Sequence, residues 1–264
     1  MTELIEQSYP VSFVGAGPGA VDLITVRGAE LLAKADVVIY AGSLVDRKLV
    51  ERYASGAVLH DSSTMTLGEV ITAMMDSLSS GLKVVRLHTG DPSIYGAIQE
   101  QMEALDRLNV RYQVVPGVTS AFAAAASLRQ ELTLPEISQT VIFTRVEGRT
   151  PIPERERLRR VAGIGATVVI YLSVGMVDKV VEELLAGAYT EKTDAAVVCR
   201  ASWDDELIIR CNLASLAQSV REAGIERHAL IIVGDVLAAR REGVKAKSML
   251  YDESFTHGCR RGSY

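Results

Sequence analysis

Short apolar runs alternate with longer amphipathic stretches along the first half of the chain. The runs are rich in β-branched residues and predict five strands: Val11–Val14, Val37–Tyr40, Ala57–His60, Val84–Leu87 and Tyr112–Val115. The stretches between them repeat apolar residues at helical spacing and predict five helices: Asp22–Lys34, Asp46–Tyr53, Thr66–Leu78, Ser93–Leu108 and Thr119–Leu128. Apolar strands that alternate with helices predict an α/β fold with a mostly parallel sheet.

The second half brings its apolar runs in closer succession, which predicts a mixed sheet. Its strands are predicted at Thr140–Thr144, Thr167–Leu172, Ala195–Cys199, Leu207–Arg210, Ala229–Val233 and Met249–Tyr251. Its helices are predicted at Glu154–Val161, Val177–Leu185 and Leu213–Ala223. We expect two α/β domains, 1–134 and 135–264, with the boundary near Pro135. We interpret the basic tail after Arg240 as solvated.

Composition narrows the class of partner. The 264 residues are 48% apolar and 23% charged, and the net charge of −5 gives no general attraction to nucleic acid or acidic membranes. No apolar run reaches the roughly 20 residues of a spanning helix, and the first ten residues lack a signal core. We therefore expect no nucleic-acid partner and no membrane partner.

The cysteines and histidines are few and widely spaced. Cys199, Cys211 and Cys259 are odd in number and form no C-x-x-C pair, and the four histidines show no metal-ligand spacing. This pattern fits a reducing compartment. We predict a cytoplasmic protein without a metal site.

The first predicted strand runs into a glycine-rich turn that matches a dinucleotide fingerprint. Gly15, Gly17 and Ala20 satisfy the pattern G-x-G-x-x-A, which raises the alternative of an NAD or FAD enzyme. That fingerprint requires an acidic residue at the end of the next strand, where this chain has Tyr40 followed by Ala-Gly-Ser. Pro18 also removes a backbone N–H donor from the turn. We therefore disfavour the dinucleotide interpretation.

Two further glycine turns follow the fourth and fifth predicted strands. The second contains "HTGDPS", in which Asp91 or Ser93 is suited to cap a helix that begins near Ile94. The third contains "VPGVTS", with its glycine at Gly117. The turns that follow parallel strands gather at one edge of the sheet, where ligands bind. Because the turns carry few charges, they predict a pocket for a neutral or zwitterionic nucleoside.

A family resemblance is carried by three stretches: "VGAGPGAVDLITVRGAELLAKADVVIY", "GLKVVRLHTGDPSIYGA" and "VVPGVTSAFAAAASL". They resemble the tetrapyrrole (corrin/porphyrin) methylases, and the likeness runs from about Val11 to the tail. The resemblance implies class III architecture, with two α/β domains and S-adenosylmethionine in the cleft between them. It also implies S-adenosylhomocysteine as product, an anionic tetrapyrrole as substrate and a homodimer.

Shorter stretches indicate one branch of this family. They are "YAGSLV", "DSSTMTLGEV", "ELTLPEISQTVIFTR" and "RASWDDELI", and they resemble the branch that methylates precorrin-4 at carbon 11 to give precorrin-5 in cobalamin biosynthesis. The uroporphyrinogen-III branch typically has Asp where this chain has Ala41, and a Lys that residues 60–64 lack. Three alternatives stay open: cobalt-precorrin-4 as substrate, another ring position such as those of uroporphyrinogen III, and a tetrapyrrole-binding protein without activity.

The resemblance also implies which residues contact the cofactor. They are Pro18, Thr89, Gly90, Asp91, Ile94, Thr119, Ser120, Leu172 and Ala201. Asp91 is the one carboxylate among them, and it suits either the cationic end of the cofactor or a helix cap.

Catalytic residues stay unknown at this level. His60, Asp61, His88 and Tyr95 lie on or beside the ligand edge, and a structural role is the preferred interpretation of each. The substrate carboxylates call for cationic side chains, with arginine favoured by its bidentate geometry. The unranked candidates are Arg27, Arg47, Lys48, Arg145, Arg149 and Arg200.

Overall fold

The computed structural model describes residues 9–243 and 248–261, and these divide into two compact units. The first unit runs to Ala123 and also includes Ser202–Asp204, although the neighbours of that short segment belong to the second unit. The second unit comprises Ala124–Ala201 and the described residues from Asp205 onward. The domain boundary expected after residue 134 stays a prediction.

The first unit is built on a fully parallel sheet, as the alternating pattern predicts. Its strands are β1 Val11–Gly15, β2 Val37–Tyr40, β3 Val58–Asp61, β4 Val84–His88 and β5 Tyr112–Val115. Their order across the sheet is β3-β2-β4-β1-β5, with β4 and β1 side by side in the centre. Both central strands are buried along their whole length, because helices cover both faces.

Helices of the first half lie on the two faces of this sheet. They are α1 Val26–Ala33, α2 Arg47–Tyr53, α3 Leu67–Ser79 and α4 Ile98–Arg107. A fifth helix, α5 Ser120–Leu128, follows β5 and runs past Ala123, where the first unit ends. One apolar cluster holds side chains of α1 and α2, and a separate cluster holds those of α3 and α4. The chain therefore leaves β1 and β4 toward opposite faces. Neighbouring strands with this property define the switch point at which α/β sheets bind ligands.

Two helices begin later than the periodicity predicts. The predicted helix Asp22–Lys34 is a 3-10 turn at Val21–Leu23 followed by α1, whose cap is Thr25. The predicted helix Ser93–Leu108 begins only at Ile98, so the prediction that Asp91 or Ser93 caps it is wrong. Pro92 and the residues after it form a tight turn instead, with positive φ at Tyr95 and Ala97.

The second unit is built on a mixed sheet, which confirms the prediction for this half. Its strands are β6 Val141–Arg145, β7 Thr167–Tyr171, β8 Asp194–Cys199, β9 Leu207–Asn212 and β10 Ala229–Val233. The order is β6-β7-β10-β8-β9, and β6–β7 is its parallel pair. The helices are α6 Leu158–Ala162, α7 Val177–Leu185, α8 Leu213–Glu222 and α9 Ala239–Glu242.

One strand prediction in this half is wrong. Met249–Tyr251 forms a 3-10 turn and belongs to neither five-stranded sheet. A strand needs a partner to pair with, and a run of three residues is at the short limit for one. The predicted helix Glu154–Val161 is a 3-10 turn at Glu154–Glu156 followed by α6. Within the described residues, no helix combines the length and hydropathy needed to cross a bilayer.

Candidate functional site

The three glycine turns meet at the carboxyl edge of the first sheet, as the sequence predicts. Gly17 and Gly90 pair directly: the Gly90 N–H donates to the Gly17 carbonyl at 2.8 Å, and the Gly17 N–H donates to the Gly90 carbonyl at 3.3 Å. This pairing ties the turn after β1 to the turn after β4. At the switch point of the sheet, the loops after the two central strands are therefore joined by two backbone hydrogen bonds.

Close backbone approach explains why these positions are glycine. A Cβ atom at Gly15 would lie 2.6 Å from both the Gly117 Cα and the Gly90 carbonyl oxygen. A Cβ atom at Gly117 would overlap the same Gly90 oxygen. Gly90 itself has φ +59°, a left-handed conformation that favours glycine. Three backbones thus pack against one another with no side chain between them.

Asp91 links the second turn to the third. Its Oδ2 accepts the Gly117 N–H at 2.9 Å, and its Oδ1 accepts the backbone N–H of Ser93 at 2.9 Å and the Ser93 hydroxyl. Partial burial raises the pKa of Asp91, but these hydrogen bonds outweigh it and hold the pKa below its ordinary value. Asp91 is therefore a carboxylate at neutral pH that braces two turns.

The first turn is not a phosphate cradle. The Ala16 N–H donates to the His88 carbonyl at 2.7 Å, and the Ala20 N–H donates to the Ser202 hydroxyl at 3.0 Å. With the Gly17 N–H also bonded and Pro18 lacking one, few donors remain for a pyrophosphate. A short 3-10 turn follows, and the α-helix α1 begins only at Val26, so the geometry agrees with rejecting the dinucleotide interpretation.

Seven of the nine predicted cofactor contacts lie on these turns. Gly90 and Thr119 are buried beside each other, and the Ser120 backbone nitrogen lies 3.7 Å from the position of a Cβ at Gly90. Pro18 is buried and Thr89 is exposed. The edge residues are Pro18, Thr89, Gly90, Asp91, Ile94, Thr119 and Ser120. The tertiary structure therefore collects residues that span a hundred positions of sequence.

The two remaining predicted contacts lie in the second unit. Leu172 follows β7 and Ala201 follows β8, and both strands run antiparallel to β10, so they end at the same edge of that sheet. Leu172 is 70% exposed and has φ +53°. An exposed leucine held in a left-handed conformation is uncommon, and such strain concentrates at functional sites.

Sequence reasoning missed two residues of the first turn's surroundings. The Trp203 indole N–H donates to the Pro18 carbonyl at 2.9 Å, and the Ser202 hydroxyl is the acceptor for Ala20 described above. The only available signal was that Trp203 is the single tryptophan of the chain and stands near Ala201. A contact across 185 positions leaves no periodicity to detect.

Two of the candidate bases, His88 and Asp61, have environments that suit structural roles. His88 is buried, and among the described residues its Nε2 has no hydrogen-bond partner. Burial, with a smaller effect of the Arg86 charge, lowers the pKa of His88 to about 3, so its imidazole is neutral at pH 7. Asp61 accepts the Gly42 N–H at 3.0 Å and the Ser63 N–H at 2.9 Å, and these bonds lower its pKa. Both observations favour structural roles.

Replacing His88 with phenylalanine should reduce the loss of stability in acid. Unfolded His88 takes up a proton near pH 6.5 while the folded residue resists until about pH 3, so the free energy of unfolding falls as the pH drops below about 6.5. At pH 5 this contribution is about 2 kcal/mol. Urea unfolding of both proteins at pH 8 and pH 5 measures this contribution. At pH 8 the histidine is neutral in the folded and unfolded states, so the difference between the two proteins there reflects packing alone. Equal losses in both proteins between the two pH values would contradict the assignment.

Most candidate cations already have partners within the chain. Arg27 and Arg149 are exposed. The contacts of the other four include Arg47 with Glu51, Lys48 with Asp204, Arg145 with the carbonyls of Thr150 and Pro151, and Arg200 with Asp205. In the described part of the chain, no group of three His, Cys, Asp or Glu side chains is arranged to hold a metal ion.

Comparison with known proteins gives one consistent family. Residues 10–217 match the family described as Tetrapyrrole (Corrin/Porphyrin) Methylases. The chain is 51% identical over 257 residues to cobalt-precorrin-4 C(11)-methyltransferase of Methanocaldococcus jannaschii, which covers 97% of this chain and 98% of that protein. It is 45% identical over 252 residues to precorrin-4 C(11)-methyltransferase of Pseudomonas aeruginosa, covering 96% and 99%.

Solved structures give the same family. The X-ray structure of a cobalt precorrin-4 methyltransferase, a cobalamin biosynthetic enzyme, matches with a TM-score of 0.84 and 46% identity, covering 86% of this chain and 95% of that one. Uroporphyrin-III C-methyl transferase of Thermus thermophilus, complexed with S-adenosylhomocysteine, matches with a TM-score of 0.73 and 29% identity, covering 87% and 99%.

Proposed function

The chain belongs to the tetrapyrrole (corrin/porphyrin) methylases, and from this premise we propose that it transfers a methyl group from S-adenosylmethionine to carbon 11 of precorrin-4. The product would be precorrin-5, on the route to cobalamin. The observation that carries this proposal is 45–51% identity, over nearly the whole chain, to proteins named as C(11)-methyltransferases of this substrate class. The two α/β units and the glycine-turn edge agree with it.

The residues at the edge fit S-adenosylmethionine better than a phosphate-bearing cofactor. Most backbone donors of the first turn are already used, which disfavours a pyrophosphate, whereas a nucleoside needs mainly shape and a few polar groups. Asp91 is the carboxylate among the predicted contacts and suits a cationic group. We propose that Pro18, Thr89, Gly90, Asp91, Ile94, Thr119, Ser120, Leu172 and Ala201 contact the cofactor.

Methyl transfer depends mainly on how the protein aligns the cofactor with the substrate carbon, and less on the chemistry of its side chains. When bound, S-adenosylmethionine supplies a methyl group already activated on a positively charged sulfur. The packed glycine turns would hold the ligand edge rigid, because Gly15, Gly90 and Gly117 leave one another no room to shift. Asp91 braces the second and third turns, and its charge favours a cation nearby. We assign no catalytic base.

A second candidate substrate is cobalt-precorrin-4. The relative at 51% identity carries the cobalt form in its name, while the relative at 45% identity carries the metal-free form. Both share carbon 11 as the site of methylation. The choice between them changes only whether the macrocycle already holds cobalt.

Two measurements test the proposal. Calorimetry should detect binding of S-adenosylhomocysteine. The absence of binding at high micromolar ligand would reject the methylase function and favour a tetrapyrrole-binding protein without activity. Incubation with S-adenosylmethionine labelled in its methyl group, together with metal-free or cobalt precorrin-4, should label carbon 11. Label at another ring carbon would overturn the branch assignment, and the faster substrate decides between the two forms.

We also propose a homodimer in the cytoplasm. The dimer rests on the family resemblance, and the cytoplasm on the three free cysteines, which suit a reducing compartment. Light scattering of the purified protein tests the first, with a monomer mass contradicting it.

A further inference from the structure

A three-residue segment, Ser202–Asp204, packs on the first glycine turn and belongs to the first unit. We call it the strap. Its middle residue, Trp203, is half-buried, and its indole N–H donates to the Pro18 carbonyl at 2.9 Å. The hydroxyl of its first residue, Ser202, accepts a hydrogen bond from the Ala20 N–H at 3.0 Å. The strap therefore engages the turn on both sides of Gly19.

The far end of the strap is anchored by charge. Lys48 Nζ lies 2.7 Å from Asp204 Oδ2, and Lys48 belongs to α2 of the same unit. Both side chains are well exposed, so the pair contributes little to stability by itself. Its geometric effect is to give the strap a third attachment, separate from the two on the turn.

The turn is shaped to receive the indole. A Cβ atom at Gly19 would overlap the Trp203 ring, so glycine is what allows the ring to lie on the backbone. Gly19 does not have positive φ, and thus its need for glycine comes from the indole rather than from backbone conformation. Turn and strap fit each other as a matched pair.

The strap also holds strained backbone. Ser202 has φ +68°, a left-handed conformation that non-glycine residues adopt infrequently. Such conformations persist where surrounding contacts over-determine them, and they concentrate at functional sites. The three attachments of the strap provide those contacts.

We propose that Trp203 is a positioning residue of the cofactor site. It fixes the Pro18 peptide in one orientation and, with Ser202, withdraws a carbonyl and an N–H of the turn from solvent. The turn then presents a rigid, largely uncharged surface, which suits a nucleoside rather than a phosphate. This inference rests on the proposed function, because it assumes that the turn lines the site of S-adenosylmethionine.

Two substitutions reach the same contact from opposite sides. Trp203→Phe removes the N–H and keeps an aromatic ring, and Gly19→Ala keeps the tryptophan while displacing its ring from Pro18. Each should weaken S-adenosylhomocysteine binding by about five- to tenfold, the range expected for one lost hydrogen bond that holds a binding loop. Because Trp203 is the single tryptophan, Gly19→Ala should also red-shift the emission and increase quenching by acrylamide.

Two control variants separate this role from general stability. Gly56→Ala adds a methyl group where no atom lies within 4 Å. Tyr112→Phe removes one hydrogen bond, to Asp106, from an aromatic residue at the opposite end of the same sheet. Both should bind S-adenosylhomocysteine within twofold of the unmodified protein in calorimetry.

The outcomes distinguish the inference from the function it rests on. If the unmodified protein binds S-adenosylhomocysteine and both Trp203→Phe and Gly19→Ala bind it equally well, the positioning role is wrong and the methylase function stands. If the variants lower the melting temperature without changing affinity, the strap is purely structural and the inference also fails. If the unmodified protein does not bind, the proposed function fails first.

Discussion

Replacing Gly117 with alanine should destabilise the first unit by about 2 to 4 kcal/mol and weaken S-adenosylhomocysteine binding more than about tenfold. The new methyl group would overlap the Gly90 carbonyl and lie 2.8 Å from the Gly15 Cα. Both are backbone atoms, one at the end of β1 and the other two residues beyond β4, and thus no side-chain rotation relieves the overlap. The third turn must move, and it carries Thr119 and Ser120.

Urea unfolding followed by Trp203 emission measures this loss, because the tryptophan packs within the first unit. Gly68→Ala is the matched control. Gly68 lies in α3, a Cβ there meets no atom within 4 Å, and alanine is the better helix former by about 1 kcal/mol. A Gly117→Ala protein as stable as the Gly68→Ala protein would show that the three turns are not tightly packed.

Replacing Gly90 with valine should abolish cofactor binding while leaving a folded protein. A Cβ at Gly90 has room, since its nearest neighbours, in Thr119 and Ser120, are 3.7 Å away. The cost to folding is therefore the strain of a β-branched residue at φ +59°, about 1 to 3 kcal/mol. The two methyl groups would fill the edge proposed to take the ligand. We expect affinity for S-adenosylhomocysteine to fall at least about 100-fold, or ~2.7 kcal/mol.

Calorimetry and circular dichroism on the same sample measure binding and fold. Gly81→Val imposes comparable strain, because Gly81 has φ +74°, but it lies before β4 at the other end of the strand with open space around it. It should lose similar stability and keep its affinity. Normal affinity in Gly90→Val would exclude Gly90 from the pocket. An equal loss of affinity in both variants would show that backbone strain, and not filling of the pocket, causes it.

Much of the fold could be predicted from local pattern. Strands β2, β5 and β10 and helix α7 have the predicted bounds, and most others differ by one or two residues. Each such element buries one face or both, so its apolar spacing records its geometry directly. The alternation of elements also predicted a parallel first sheet and a mixed second sheet.

The errors fall where a tertiary contact competes with the local pattern. Asp91 and Ser93 suit a helix cap, yet Asp91 reaches the Gly117 N–H, 26 residues away, and the chain turns before α4 begins at Ile98. A Cβ at Gly96 would overlap the Pro92 carbonyl, which shows how tight that turn is. Sequence periodicity records burial along an element and carries no information on such a contact.

The sequence by itself determined which elements form and where glycine interrupts them, because both depend on neighbours a few positions away. It also determined the family, through motifs kept in order along the chain. Tertiary structure alone decided that Asp91 braces two turns and that Trp203 closes the first. Both depend on bringing distant residues to one sheet edge, and chain topology rather than local propensity sets which residues meet there.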